Sequence, residues 1–155
     1  MSRHRAQQLA SEFLARQDAT GWFEALYAEA GNNYGAVPWA DLAPNPNLVD
    51  WVTKHGITGQ GGRALTVGCG YGDDAEFLAA IGFDVVAFDI SPTAIAECKR
   101  RFPNSPVSYQ VADLLNPPAH WDRRYDFVFE AYTLQALPPE IRAIAIPKIR
   151  SFLAP

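Results

Sequence analysis

A glycine-rich turn is the part of this sequence whose residue types and spacing most directly indicate chemistry. Single residues separate Gly68, Gly70 and Gly72, which come directly after the apolar run 64–67. Glycine permits positive φ angles and a close approach of the backbone to a ligand, and a helix that starts after the turn offers free N–H groups. Asp89 ends the next apolar run, where a carboxylate can accept hydrogen bonds from both hydroxyls of a ribose. The pattern predicts a site for a ligand that contains a nucleoside.

The residues after the turn restrict the kind of ligand. The dinucleotide fingerprint G-x-G-x-x-G would need a third glycine at position 73, where this chain has Asp73, followed by Asp74. Negative charge at this place would repel a pyrophosphate. We therefore expect a ligand with an ammonium or sulfonium group, and the alternative of an NAD-dependent oxidoreductase is disfavoured.

The apolar patterning predicts strands and helices that alternate along the chain. Apolar or alternating runs predict four strands, at 64–67, 84–89, 107–111 and 125–129. Amphipathic segments predict helices at 75–81, at 92–102 and from Pro138 to near the end, with a kink at Pro147. Because such alternation produces parallel sheets, we expect an α/β fold of the Rossmann-like type. It would have three αβα layers and a mostly parallel sheet of about four strands.

The N-terminal residues predict a helical cover. Helices are expected over 3–17, over 21–30 and from about Asn45 to Gly56, and a proline-rich loop with Trp39 joins the last two. A tryptophan in a loop can simply fill a gap in the core. The alternative is a lid over the ligand, formed by Trp39 with Tyr34 and Trp22, since an aromatic face attracts a cation. We expect one structural domain in which residues 1–61 cover residues 62–155.

The order of these features resembles the class I S-adenosylmethionine-dependent methyltransferases over about residues 62–153. The features are the three alternating glycines, Asp89 after the second strand and Ala112-Asp113 after the third. The Pro38-Trp39 segment and Thr66, which stands where many members have an acid, resemble the thiopurine and small-thiol methyltransferase-like subset. The resemblance implies S-adenosylmethionine as cofactor and S-adenosylhomocysteine as product. It also implies methyl transfer to a small-molecule acceptor, such as a thiol or another soft nucleophile.

The resemblance further implies roles for individual residues. The methionine part of the cofactor is expected against Gly68, Cys69, Gly70 and Gly72. The nucleoside part is expected against Asp89, Ile90, Asp113 and Leu114. Tyr71, Ala112 and Trp39 are expected as further cofactor-binding residues, with Trp39 as a cover. Asp89 would bind the ribose and Asp113 the adenine amino group, although each acid taken singly could be a solvated turn residue or a helix cap.

The candidate catalytic residues are Glu130 and Tyr132, which follow the fourth strand. Either could serve as a base or position the acceptor, and Glu130 could equally hold the ammonium group of the cofactor. A thiol that is already ionised would need no base.

The C-terminal part of the sequence differs from the family pattern. In the family, the helix that starts here at Pro138 is followed by further strands that help to form the acceptor pocket, whereas this sequence stops at Pro155. We therefore expect an apparently truncated, cofactor-binding half of the domain, with an open edge at the fourth strand. Two copies are expected to form a homodimer through that edge or through the last helix. The alternative function is a binding module that is catalytically incomplete.

Composition argues against several other functions. Of the 155 residues, 48% are hydrophobic and 19% charged, and the formal net charge is −4. Without a basic excess, we expect neither nucleic acid nor a membrane surface as a partner. The three histidines are widely separated in sequence, so no metal site is expected. Two cysteines without a disulfide framework, and no membrane-spanning run, predict a cytoplasmic protein.

Overall fold

Parallel strands form the centre of the fold in the computed structural model, which describes residues 2–155. The strands are β1 (Arg63–Val67), β2 (Asp84–Asp89), β3 (Ser108–Val111) and β4 (Phe127–Glu130). They pair in parallel in the order β3-β2-β1-β4. The α-helices of the described residues are α1 (Ser2–Leu14), α2 (Gly21–Ala30), α3 (Pro46–His55), α4 (Asp73–Ala80), α5 (Pro92–Arg101), α6 (Thr133–Ala136) and α7 (Pro139–Ser151). The predicted Rossmann-like α/β fold is confirmed.

β1 takes an inner position because its side chains are apolar on both faces. Leu65 and Val67 belong to one hydrophobic cluster and Ala64 to the other, and all three are fully buried. In the register of the sheet, Leu65 pairs with Val86 of β2 and with Val128 of β4. β1 therefore has a strand on each side and a hydrophobic core on each face.

The two cores make the fold three-layered. One face of the sheet packs against α3, α4 and α5 through Leu48, Val52, Ala75, Leu78, Ile95 and Cys98. The other face packs against α7 and the segment before β4 through Phe88, Trp121, Tyr125, Ala145 and Phe152. Because all four strands run in the same direction, their carboxyl ends meet at one edge, and this is where ligands bind in open α/β sheets.

α1 and α2 pack against each other, and α2 reaches the strand-end edge of the sheet through Phe23. Leu9 of α1 is buried against Trp22 and Leu26 of α2. The Arg5 guanidinium donates from Nε to the Glu29 carboxylate at 2.8 Å and so links the exposed sides of the two helices. The predicted helical cover is thus present.

Two helix boundaries differ from the sequence prediction. α1 ends at Leu14 and not at residue 17, because the chain turns and Gln17 has a φ of 61°. α4 begins at Asp73, directly after Gly72, and not at residue 75.

Pro147 lies inside the continuous helix α7. The four-residue helix α6 was not predicted because it is too short to show an amphipathic period. Among residues 2–155, no helix combines the length and apolar composition needed to cross a bilayer.

The fourth strand is shifted relative to its prediction. β4 covers Phe127–Glu130, whereas the sequence predicted residues 125–129. Tyr125 forms a parallel bridge with Leu153, and its carbonyl oxygen accepts a hydrogen bond from the Ala154 N–H at 2.8 Å. Apolar alternation continues through Tyr125, so the sequence could not show where the pairing with β1 starts.

The buried tryptophan between β3 and β4 yields a stability prediction. Trp121 is 2% exposed, and its ring centroid lies 4.9 Å from that of Phe88 and 6.1 Å from that of Phe152. We expect Trp121→Ala to lower the free energy of unfolding by about 3–5 kcal/mol, because it leaves a cavity against the sheet. Trp51 is 46% exposed, so Trp51→Ala should cost about 1 kcal/mol. Urea unfolding followed by circular dichroism measures both, and equal losses would contradict the packing described.

Candidate functional site

The turn between β1 and α4 leaves no room for side chains at its three glycines. Gly68, Gly70 and Gly72 have φ angles of 60°, 53° and 92°, in the left-handed region that side chains disfavour. A Cβ atom at Gly68 would lie 2.1 Å from the Thr133 Oγ1, and one at Gly72 would lie 2.6 Å from the Tyr109 hydroxyl oxygen. The glycines are therefore required both by the backbone conformation and by the groups packed on the turn.

A carboxylate at the end of β2 holds this turn in place. The Gly70 N–H donates to Asp89 Oδ2 at 2.9 Å, and the Ser91 N–H donates to Asp89 Oδ1 at 3.0 Å. Asp89 is buried, and burial raises the pKa of its carboxyl group although the Ser91 and Gly70 N–H groups oppose the rise. Asp89 thus supports the turn and also faces the cavity next to it.

A cavity of about 460 Å³, the strand-end cavity, opens at the carboxyl ends of β1, β2 and β3. It is lined by Thr20, Phe23, Val67, Gly68, Phe88, Asp89, Ile90, Ala112, Asp113, Leu114, Leu115, Thr133 and Leu137. The four residues predicted to hold a nucleoside, Asp89, Ile90, Asp113 and Leu114, are in this set, together with Ala112. Most of the lining is apolar and the carboxylates are Asp89 and Asp113, so the cavity suits a flat ring joined to a polar sugar.

The glycine turn borders a second cavity of about 510 Å³, the loop cavity. Its lining includes the four residues predicted for the methionine part, Gly68, Cys69, Gly70 and Gly72, and also Tyr71. The lining also includes Trp39, Asp41, Asn45, Asp74 and Tyr132. The loop cavity therefore combines acidic groups with a bare backbone.

A third, central cavity of about 260 Å³ lies between the other two. It is lined by Phe23, Tyr27, Trp39, Gly68, Asp89, Ala131, Tyr132 and Thr133. Gly68 lines all three cavities, so one ligand could extend from the strand-end cavity past Gly68 into the loop cavity. The middle of such a ligand would lie among aromatic rings.

The aromatic rings of the central cavity come from α2 and from the loop after it. The Trp39 Nε1–H donates to the Tyr27 hydroxyl at 2.8 Å, and the Phe23 and Trp39 ring centroids are 6.1 Å apart. Burial raises the pKa of Tyr27, so its phenol stays protonated. Phe23 and Tyr27 share a face of α2 because they are four residues apart. That spacing is the signal in the sequence that identifies this pair.

The other two residues expected in the lid lie elsewhere. Trp22 is buried between α1 and α2, and it meets Trp39 with a centroid distance of 5.9 Å. Tyr34 packs on Tyr71 and donates its hydroxyl hydrogen to the Glu97 carboxylate. Phe23 and Tyr27, and not Trp22 and Tyr34, are thus the partners of Trp39 at the cavity.

The charge of Asp73 is not available to a ligand as the sequence reasoning assumed. Both oxygens of its carboxylate accept hydrogen bonds from Arg101 at 2.8 Å, and Arg101 also donates to the Tyr71 carbonyl at 2.6 Å. Arg101, at the end of α5, therefore clamps the end of the glycine turn. The carboxylates of the loop cavity that Arg101 does not pair with are Asp41 and Asp74; the Asp74 carboxylate accepts a hydrogen bond from the Asn45 N–H at 2.6 Å, and burial raises the pKa of Asp74.

The two candidate catalytic residues lie in different surroundings. Tyr132 is half exposed and lines the loop and central cavities. Glu130 lines none of the three cavities, and its Oε1 accepts hydrogen bonds from the N–H groups of Thr133 and Leu134 at 2.9 and 2.8 Å. Glu130 thus stabilises the start of α6, and this geometry does not support the predicted roles as a base or as the holder of the ammonium group.

Metal and thiol chemistry find little support in the described part of the chain. Within residues 2–155, no group of three or more His, Cys, Asp or Glu side chains could hold a metal ion. Cys69 and Cys98 are buried and free, and burial raises the pKa of Cys69. Because a protonated thiol is a poor nucleophile, Cys69 is part of the turn and not a reactive group.

A carboxylate that the sequence reasoning missed fastens the cover to the site. Glu24 of α2 accepts hydrogen bonds from Ser91 Oγ at 2.5 Å and from Thr93 Oγ1 at 2.6 Å, at the start of α5. Burial disfavours its ionised form, but the hydrogen bonds from Ser91 and Thr93 outweigh burial and lower the pKa. Glu24 therefore keeps Phe23 and Tyr27 over the strand ends.

A family model and the curated relatives that match this chain agree on one family. The model of the family described as "Methyltransferase domain" matches residues 64–155. The chain is 26% identical over 152 residues to the probable thiol methyltransferase 2 of Arabidopsis thaliana, a match that covers 97% of this chain and 64% of that protein. The chain thus spans less than two thirds of the length of this relative.

Two solved structures are similar in fold as well as in sequence. One comes from work on the conversion of a disulfide bond into a thioacetal group during echinomycin biosynthesis. It has a TM-score of 0.74 and 29% identity, and the match covers 88% of this chain and 56% of that one. The other is a TehB-like SAM-dependent methyltransferase from Corynebacterium glutamicum, with a TM-score of 0.61 and 25% identity. That match covers 85% of this chain and 67% of the other.

The position of Glu24 predicts a pH-dependent contribution to stability. Because its pKa in the folded chain lies below the ordinary value of 4.5, the ionised carboxylate stabilises the fold above about pH 4.5, and this contribution is lost as the pH falls through the folded pKa. Glu24→Gln should therefore lower the free energy of unfolding by about 1 kcal/mol at pH 7, and the deficit should shrink towards pH 3. Urea unfolding across this range measures it; a deficit that does not change with pH would contradict the role of the charge.

Proposed function

We propose that this chain, which belongs to the class I S-adenosylmethionine-dependent methyltransferases, binds S-adenosylmethionine in the three connected cavities and methylates a small molecule. The observation that carries the proposal is that Gly68 borders all three cavities at the carboxyl ends of the strands. When bound, S-adenosylmethionine supplies a methyl group on a positively charged sulfur, and loss of that methyl group leaves S-adenosylhomocysteine.

The residues present suit each part of this cofactor. Asp89 and Asp113 in the strand-end cavity would hold the ribose and the adenine amino group, with Ile90 and Leu114 against the ring. The backbone of the glycine turn would take the methionine part. This backbone is bare because a Cβ at Gly68 would collide with the Thr133 side chain. Asp41 and Asp74 of the loop cavity would favour its ammonium group.

The aromatic rings of the central cavity would act on the reacting groups. Phe23, Tyr27 and Trp39 surround the place that a sulfonium bridging the two larger cavities would occupy. Aromatic faces attract a cation, and rings that exclude water strengthen this attraction. The same rings would limit the approach of the acceptor, and alignment of the acceptor accounts for much of the acceleration of a displacement reaction.

We further propose that the acceptor is a thiol that reacts as its thiolate. The ionisable side chains of the central cavity are Asp89, Tyr27 and Tyr132. Asp89 is engaged with Gly70 and Ser91, and burial raises the pKa of Tyr27, so neither is suited to take a proton from an amine or a hydroxyl, and Tyr132 is the one remaining candidate base of the three. A thiol is ionised in part at neutral pH without a base. The name of the Arabidopsis relative and the sulfur chemistry of the echinomycin structure support the same choice.

The test is a methylation assay with three matched acceptors. We expect the chain, supplied with S-adenosylmethionine, to methylate benzenethiol and to leave aniline and phenol almost unchanged, as measured by mass spectrometry of the products. The rate should rise with pH through the pKa of the thiol and then level off. Trp39→Ala should lower kcat about tenfold through loss of the cation–π contact and the water barrier, whereas Trp51→Ala, outside the cavities, should not.

Two results would overturn the proposal in different ways. Preferred methylation of aniline or phenol would refute the thiol acceptor and leave the family reaction intact. Binding of S-adenosylhomocysteine without transfer to any of the three acceptors would select the other function that we considered, a module that binds the cofactor and does not catalyse.

A further inference from the structure

We infer that the acceptor carries a carboxylate, which Arg3 and Gln135 hold in a groove next to the central cavity. This inference rests on the proposed thiol methylation and narrows the class of acceptor to small thiols with a carboxylate. We call the depression the outer groove; it is lined by Arg3, Pro38, Trp39, Tyr132, Gln135 and Ala136, together with Asp41.

The outer groove is continuous with the place of the reaction. Trp39 and Tyr132 line both the outer groove and the central cavity. If the sulfur of the acceptor lies among the aromatic rings, the rest of the bound acceptor would therefore extend towards solvent between Trp39 and Tyr132. The groove is open to solvent, and the part of it that a ligand can fill is about 370 Å³, within the range of small-molecule sites.

The far side of the outer groove offers hydrogen-bond donors. Arg3 on α1 and Gln135 on α6 are both exposed. The ion pairs found among residues 2–155 use Arg5, Arg100 and Arg101, so the guanidinium of Arg3 has no carboxylate partner in the described chain. A guanidinium offers parallel N–H groups that match a carboxylate, and the amide N–H groups of Gln135 can add a further donor.

The charged side chains around the outer groove would also orient the bound acceptor. Asp41 lines the loop cavity as well as the outer groove, and Asp74 of α4 lines the loop cavity. Arg3 and Gln135 line only the outer groove among the cavities described above. The acidic side of the groove thus adjoins the cofactor and the basic side lies away from it. A negatively charged substituent would be repelled from the first and attracted to the second.

The test compares two thiols that differ only in this charge. The acceptors are 3-mercaptobenzoate and 3-mercaptobenzamide, and the variants are Arg3→Gln and, as a matched control, Arg16→Gln. Arg16 is also exposed, but it lies over the ring of Phe13 and lines none of the cavities. Initial rates at saturating S-adenosylmethionine give KM for each acceptor and each variant.

We expect the ratio of KM for the benzoate to KM for the benzamide to rise about fivefold in Arg3→Gln, as the loss of one exposed charge pair would cause. Arg16→Gln should leave the ratio as in the unchanged chain. An equal ratio in all three proteins, with turnover intact, would overturn the inference and leave the proposed function standing. Methylation of neither thiol by the unchanged chain would instead refute the thiol methylation on which the inference rests.

Discussion

The structure depends on one steric constraint, which is that the chain must turn from β1 into α4 without side chains at Gly68 and Gly72. Thr133 occupies the space that a Cβ at Gly68 would need, and the Tyr109 hydroxyl occupies the space at Gly72. The turn can therefore pack against both the segment after β4 and the strand β3 while its backbone stays open to a ligand. Asp89 fixes the turn by accepting a hydrogen bond from the Gly70 N–H. This packing produces the glycine turn, and all three cavities border the turn at Gly68.

The cover completes the cavities because it is attached at several points to the same elements that form the turn. Glu24 ties α2 to the start of α5, and the Asn45 N–H donates to the Asp74 carboxylate of α4 at 2.6 Å. Between these attachments, the hydrogen bond from Trp39 to Tyr27 holds the loop tryptophan over the central cavity. The rings that surround the proposed sulfonium position are thus fixed by polar contacts, and the acidic groups of the loop cavity come from both the cover and the turn.

The parts of this fold that the sequence could predict are those that depend on local patterns. Alternating glycines and acids after apolar runs predict a ligand edge, because parallel strands end on the same side of a sheet. The aromatic partners of Trp39 and the attachment by Glu24 could not be predicted in this way, since they depend on how α2 lies across the sheet. Asp73 is instructive, because its charge was assigned to a ligand although Arg101, 28 residues later, neutralises it. The roles of Asp89, Asp113 and Tyr132 towards a cofactor or acceptor stay predictions.

The measurement that tests this account most directly is a calorimetric titration of the chain with S-adenosylhomocysteine, repeated with Gly68→Ala and with Gly31→Ala. Gly31 also has a positive φ, of 52°, but a Cβ there would meet no atom within 4 Å, so it controls for backbone strain alone. We expect micromolar binding by the unchanged chain, a loss of at least about tenfold in Gly68→Ala, and no change in Gly31→Ala. No binding by the folded, unchanged chain, or equal binding by Gly68→Ala, would contradict a cofactor site organised around Gly68.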